Sequence, residues 1–183
     1  MDKMIDSAGH LTIPNDGSIT EIGEKEYFDA WEVKSATISD AVKTLGKGCF
    51  AESDLESVEL GNGIAEIPEY AFDGSKLKQL VIPGTVKKIA DEAFARCKLE
   101  SVALEEGVET LGEYSFFNNV RLQTLNLPST VKQIDACAFD CCFSLTEMTY
   151  AGTMEEWKKL LKGYAWCGNK TITVRCKDGI VTG

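Results

Sequence analysis

The 183-residue chain has no run of 18 apolar residues, and its opening MDKMIDSAGH holds no apolar stretch of 7–15. The first absence excludes a membrane-spanning helix and the second a secretory leader at this end. Two alternatives for location stay open: cell surface or secreted if the chain is a processed or truncated fragment, cytoplasmic if it is complete. Cations are scarce, with 19 Lys and Arg against 29 Asp and Glu and a net charge of −10. Nucleic acid and anionic membrane are therefore not expected partners, because both need clustered positive charge.

Histidine is nearly missing: His10 is the only one. There is no G-x-S-x-G, no phosphate-cradling glycine loop and no HExxH, and no histidine is expected beside a Cys or Ser. The chain is read as a non-enzyme without catalytic residues or cofactor. The carboxylate pairs Glu105–Glu106 and Glu155–Glu156 are read as a solvated turn and the start of a helix. Seven cysteines is an odd number in a chain long enough to fold without staples, so most thiols are expected to be free.

What the sequence has is a repeat. VKTLGKGCF (42–50), IAEIPEYAF (64–72), VKKIADEAF (86–94), VETLGEYSF (108–116) and VKQIDACAF (131–139) are apolar at their first, fourth and ninth places. ITEIGEKEY (19–27) is a more degenerate earlier copy. Each is followed by a second segment: LESVEL (55–60), LKQLVI (77–82), LESVAL (99–104), LQTLNL (122–127) and LTEMTY (145–150), with VKSATI (33–38) as the degenerate one. These end in an apolar, any, apolar triplet, the period of a half-buried strand. Pro83 and Pro128 directly follow two of the strands and Pro14 the expected first one, LTI (11–13). A unit of strand, tight turn, and short helical or irregular turn around the Phe cannot bury its apolar face alone. Stacked copies can.

The frame L-x-x-V-x-L-P-x-x-V-x-x-I-x-x-x-A-F-x-x-C, seen in KLKQLVIPGTVKKIADEAFARC (76–97), resembles the bacterial BspA-like, or treponemal-type, leucine-rich repeats. The resemblance covers about residues 11–150 in six copies. It departs from ordinary leucine-rich repeats in lacking the Asn or Cys that usually follows the strand. It implies an α/β solenoid: a right-handed coil with a parallel strand ladder on one face, short helical or irregular turns opposite, and a helix-plus-strand cap at the C-terminal end. The expected organisation is a flexible N-terminus (1–10), a solenoid (11–152) with repeats starting near 19, 42, 64, 86, 108 and 131, and a cap (153–183).

The cap also follows from the residues. Thr153 and Glu156 form a capping box, with Met154, Trp157, Leu160 and Leu161 on one helix face and Gly163 as the stop. TITVRC (171–176) alternates, and KDG offers a turn into IVTG, which would close the last edge.

In register, Cys97 and Cys142 lie three residues after Phe94 and Phe139, where the family often has Cys. Cys49 precedes Phe50 where other copies have Ala71, Ala93, Ser115 and Ala138. All three read as small core residues. Cys137 and Cys141, whose register partners are polar or variable, are expected on the outward face of a helical turn. Two thiolates are too few for a structural zinc site, and His10 lies about five repeats away, so no metal is assigned. Cys97 and Cys142, two repeats or about 10 Å apart, are too distant for a disulfide. The column Phe50, Phe72, Phe94, Phe116, Phe139 is read as the core spine.

The residues pointing away from the core along the strands form one column of Ser35, Ser57, Gln79, Ser101, Thr124, Glu147 and another of Thr37, Glu59, Val81, Ala103, Asn126, Thr149. The candidate partner-binding residues on this concave face are Ser57, Glu59, Gln79, Val81, Ser101, Ala103, Thr124, Asn126, Glu147 and Thr149. The face reads either as a surface merely kept soluble or as a polar docking site for a protein or glycan. BspA-like proteins are associated with bacterial cell surfaces and adhesion, which is what the resemblance implies here. An intracellular scaffold or regulatory interaction domain is the alternative.

Overall fold

The computed structural model describes residues 4–182. Four-residue strands alternate with two-residue ones along the chain. The long series runs β1 (His10–Ile13), β3 (Ser35–Ile38), β5 (Ser57–Leu60), β7 (Gln79–Ile82), β9 (Ser101–Leu104), β11 (Thr124–Leu127) and β13 (Glu147–Tyr150). Between them come β2 (Glu21–Ile22), β4 (Thr44–Leu45), β6 (Glu66–Ile67), β8 (Lys88–Ile89), β10 (Thr110–Leu111) and β12 (Gln133–Ile134). Long strands pair in parallel with long strands of neighbouring repeats and short with short, forming two ladders that are each interrupted once, between β5 and β7 and between β4 and β6. Inward positions such as Leu80 and Ile82, or Val102 and Leu104, are buried, as the alternation requires.

Residues 1–3 of the expected flexible N-terminus lie outside the described residues. From Met4 the chain folds back on β1: the Thr12 amide donates to the Met4 carbonyl at 2.9 Å, and Ile5 bridges Leu11. His10 is the first residue of β1 and belongs to the solenoid.

The α/β description is corrected: the protein is a parallel β-solenoid of about seven coils. The turns around each Phe are not helical, because their N–H groups are spent differently. Phe50, Phe72, Phe94 and Phe116 donate to the carbonyls of Ala71, Ala93, Ser115 and Ala138 in the next repeat at 2.7–2.9 Å, whereas intervening residues such as Ala51 donate three residues back. A helix would send every N–H four residues back along its own segment. The alternation requires two left-handed residues four apart in each turn, as at Gly48 and Glu52, Tyr70 and Gly74, Glu92 and Arg96, Tyr114 and Asn118, and Cys137 and Cys141.

The Phe column is the core. All five rings are fully buried, with consecutive centroids 5.1–5.4 Å apart and planes within 11°. Tyr27 extends the stack at 5.0 Å. Three residues after each Phe is a buried polar column: Ser53, Ser75, Cys97, Asn119 and Cys142. Cys97 Sγ and Cys142 Sγ contact the carbonyls of Phe72 and Phe116 at 3.1 and 3.2 Å, and Asn119 Nδ2 donates to those of Phe94 and Phe116. These cysteines are thus more than apolar filler, since they satisfy buried carbonyls.

The expectation of a helix-capped end is also corrected. The Thr153–Glu156 capping box is present, with the Thr153 hydroxyl accepting from the Glu156 amide at 3.1 Å. The helix it opens, α1 (Met154–Lys159), has only six residues and serves as a connection. Strands cover the open end: β14 (Leu161–Lys162) pairs with β12, and β15 (Thr173–Cys176) with β13. A helix could not satisfy the exposed ladder of β12 and β13, and continued strands do. β16 (Gly179–Thr182) then closes β15 as an antiparallel hairpin, as the KDG turn implied. Leu161 lies outside the helix and is exposed. Gly163 is not a helix stop: a Cβ there would come within 2.4 Å of the Ala136 amide nitrogen, so it allows two coils to approach.

Candidate binding face

The ladder registers bring the ten expected face residues onto one surface and extend it at both ends. One column runs His10, Ser35, Ser57 and, beyond a break, Gln79, Ser101, Thr124, then Glu147 and Thr173. The other runs Thr12, Thr37, Glu59, then Val81, Ala103, Asn126, Thr149 and Arg175. Thr149 Oγ1 donates to Asn126 Oδ1 at 2.6 Å, and Arg175 forms a two-pronged ion pair with Glu147. Val81, 56% exposed, is the one aliphatic side chain larger than Ala in these columns.

No histidine was expected beside a Cys or Ser, but His10 lies against Ser35 and Thr37. Its Nδ1 lies 2.7 Å from Ser35 Oγ and its Nε2 3.3 Å from Thr37 Oγ1, which donates to Glu59 Oε2 at 3.2 Å. The carboxylate end can only accept, which orients the chain: Nε2–H donates to Thr37, and in the neutral imidazole Ser35 then donates to Nδ1. The pair resembles a nucleophile and its base, but the amide at Ser35 donates to the Gly9 carbonyl at 3.3 Å, and β3 is laddered to β1 and β5. Those N–H groups are not free to stabilise an oxyanion. What the network does is fix four polar side chains in one orientation on the open face.

The face is interrupted between β5 and β7, which do not pair, and the short ladder stops at the same junction, between β4 and β6. Two prolines of one repeat lie at this junction, and each removes a donor from one of the ladders. The residue after each short strand donates back to the previous coil: Gly46, Ala90, Gly112, Asp135 and Gly163 do so at 2.7–2.9 Å, and Pro68, holding this place in its repeat, has no N–H. After the long strands, Glu105 and Ala151 donate to Ile82 and Leu127, and Pro83 again lacks the donor. The junction is held instead by the turns, the Phe50–Phe72 stack at 5.4 Å and the Lys78 amide to the Glu56 carbonyl. Val58 and Leu60, whose counterparts in other strands are buried, are only partly buried here. They floor a slot of about 430 Å³ bordered by Glu59, Val81, Pro83 and Glu105.

The cysteines give no reactive centre on this face. All seven are unpaired. Burial pushes the Cys49, Cys97 and Cys142 thiols up to about 12, so they stay protonated. Cys137 and Cys141 are half-buried in the turns, and burial also raises the Cys141 thiol. Among the described residues no three His, Cys, Asp or Glu side chains converge as metal ligands, and no helix is long and apolar enough to cross a membrane.

Three solved structures share the architecture. A leucine-rich-repeat protein of T. pallidum superposes with a TM-score of 0.72 at 22% identity, over 86% of this chain and 74% of that one. A leucine-rich cell surface protein of Faecalibacterium prausnitzii gives 0.60 at 24%, over 84% and 35%, so the chain spans about a third of that protein's length. A leucine-rich-repeat protein of Bacteroides ovatus gives 0.51 at 20%, over 91% and 63%. At these identities the likeness is one of fold. No curated protein matches the chain in sequence. The family profile described as BspA type leucine-rich repeat region, six copies, matches residues 5–118 and 65–172. With that match over most of its length, the chain belongs to the BspA-type leucine-rich-repeat family.

Proposed function

We propose that the chain is a non-enzymatic recognition module that docks a protein on the outward face of its long strands, at the bacterial cell surface, with a glycan as the other ligand class. The observation that carries this is the face itself. Two columns of small, mostly polar side chains run in register along the molecule, oriented by mutual hydrogen bonds and backed by a buried core. A rigid array of this kind loses little side-chain entropy on binding. The cell-surface location draws on the description of the Faecalibacterium protein. The seven unpaired thiols favour a second reading, an intracellular scaffold; fractionation of the native organism with an antibody to the chain separates the two.

The test is an array of purified matrix proteins and glycans probed with the wild type and with an Ala103→Arg, Asn126→Arg variant. The expected result is a ligand bound by the wild type and lost by the variant. Equal binding by both overturns the docking face.

A further inference from the structure

The slot where both ladders stop differs chemically from the rest of the face. Its floor is apolar, with Val58 and Leu60 uncovered by the missing strand pairing and Val81 beside them. Its rim carries two carboxylates, Glu59 and Glu105, each held by a neighbour: Thr37 Oγ1 donates to Glu59, and the Gly84 amide donates to Glu105 Oε2 at 3.2 Å. On the surrounding coils Glu56, Glu66, Glu69 and Glu109 each pair with a lysine of the adjacent repeat. Glu59 and Glu105 join no ion pair among the described residues, and no Lys, Arg or aromatic residue borders the slot.

We propose that this slot binds the side chain of a lysine or arginine presented by an extended segment of a partner protein. The inference rests on the long-strand face being the docking surface. Lysine and arginine lay their methylene stems along apolar surface and keep the charged end in a polar setting. Here Val58, Leu60 and Val81 meet the stem, and Glu59 and Glu105 meet the charge. A sugar lacks a ring to stack on in this slot. An acidic or purely apolar side chain leaves the two carboxylates without a counter-charge. The chain's net charge of −10 draws a cationic segment toward the face before contact.

The test is an NMR titration of the ¹⁵N-labelled chain with acetyl-Gly-Gly-Lys-Gly-Gly-amide and with counterparts whose central residue is arginine, norleucine or glutamate. The lysine and arginine peptides are expected to shift the amide signals of Val58, Leu60 and Val81. The Glu59→Gln, Glu105→Gln double variant is expected to weaken their binding about tenfold, at about threefold per carboxylate. A Glu66→Gln, Glu69→Gln variant, with the same charge change outside the slot, leaves affinity unchanged. The proposal is overturned if norleucine binds as well as lysine, if the double variant binds as the wild type does, or if the shifts scatter over other acidic positions. If the peptides fail to bind while Ala103→Arg, Asn126→Arg still abolishes ligand binding, the slot is refuted and the docking face stands. Equal ligand binding by that arginine variant refutes the face.

Discussion

Truncating Phe94 to Ala removes the middle ring of the core column. The ring is fully buried and stacked on both sides, 5.1 Å from Phe72 and 5.4 Å from Phe116. Loss of a buried Phe costs about 3–5 kcal/mol in transfer and cavity terms, and two aromatic contacts at about 0.5–1.5 kcal/mol each place this site at the upper end. In a solenoid a repeat touches only its neighbours, so the loss falls on the two interfaces that Phe94 joins and has no other contacts to spread into. For a chain of this length each kcal/mol lowers Tm by about 2–4 °C, so a loss of about 5 kcal/mol should show in a thermal melt as a fall of about 10–20 °C. Tyr27→Ala supplies the comparison, because Tyr27 is half-buried and stacks on one ring only. Its melt should fall by less than half as much. A Phe94→Ala variant that melts with the wild type, or one less damaged than Tyr27→Ala, refutes the register on which the fold assignment rests.

Three further outcomes follow from the same geometry. Ellman's reagent under native conditions should label Cys137, Cys141 and Cys176 quickly and all seven thiols only after denaturation; rapid labelling of Cys97 or Cys142 contradicts their burial in the core. Thr153→Ala removes the acceptor of the Glu156 amide and should cost about 1 kcal/mol in urea unfolding, with Thr153→Ser close to wild type. The Asp73 side chain is 6% exposed, with Oδ1 unpartnered and Oδ2 on Arg96; burial raises its carboxyl to about 6, against the pull of Arg96. Because this lies above the unfolded value of 3.8, ionised Asp73 destabilises the fold at neutral pH, and the penalty disappears as pH falls through about 6 toward 3.8. Asp73→Asn should therefore stabilise by about 1–3 kcal/mol at pH 8, the range allowing for water reaching the half-exposed Arg96, and by nothing below pH 4. A difference between the two proteins that is flat with pH refutes this.

The period was enough to place the core. Once Val42, Ile64, Val86, Val108 and Val131 are aligned, the Phe column and, on either side of the β5–β7 junction, the inward residues and outward columns take positions that the ladders reproduce, because contacts in a solenoid are those between equivalent residues of adjacent coils. The turns were expected to be helical or irregular, and it is the helical alternative that fails. What prevents a helix is the N–H of Phe72 reaching Ala93 in the next coil, a contact set by stacking rather than by local sequence. A clue was present nonetheless. Gly48 and Gly74 stand in the columns of Cys137 and Cys141, and a glycine alternating with polar residues marks a left-handed backbone position.

The junction slot escaped the sequence reading for a different reason. Pro83 was read by itself, as the end of one strand, and in that role it is harmless: Pro128 has the same place in its repeat, and β9 still pairs with β11 over three residues. Pro68 belongs to the same coil as Pro83 but to the other ladder. Each ladder therefore lacks one donor at the junction where both of them stop. The Phe50–Phe72 stack and the turn-to-turn bonds from Gly48, Phe50 and Glu52 still cross that junction, so the solenoid tolerates an opening on its face that neither ladder closes. The cost is confined to one interface, and Val58 and Leu60 become accessible beside carboxylates without cations. The place where the repeat is least regular is thus the place where this face differs most from its neighbours.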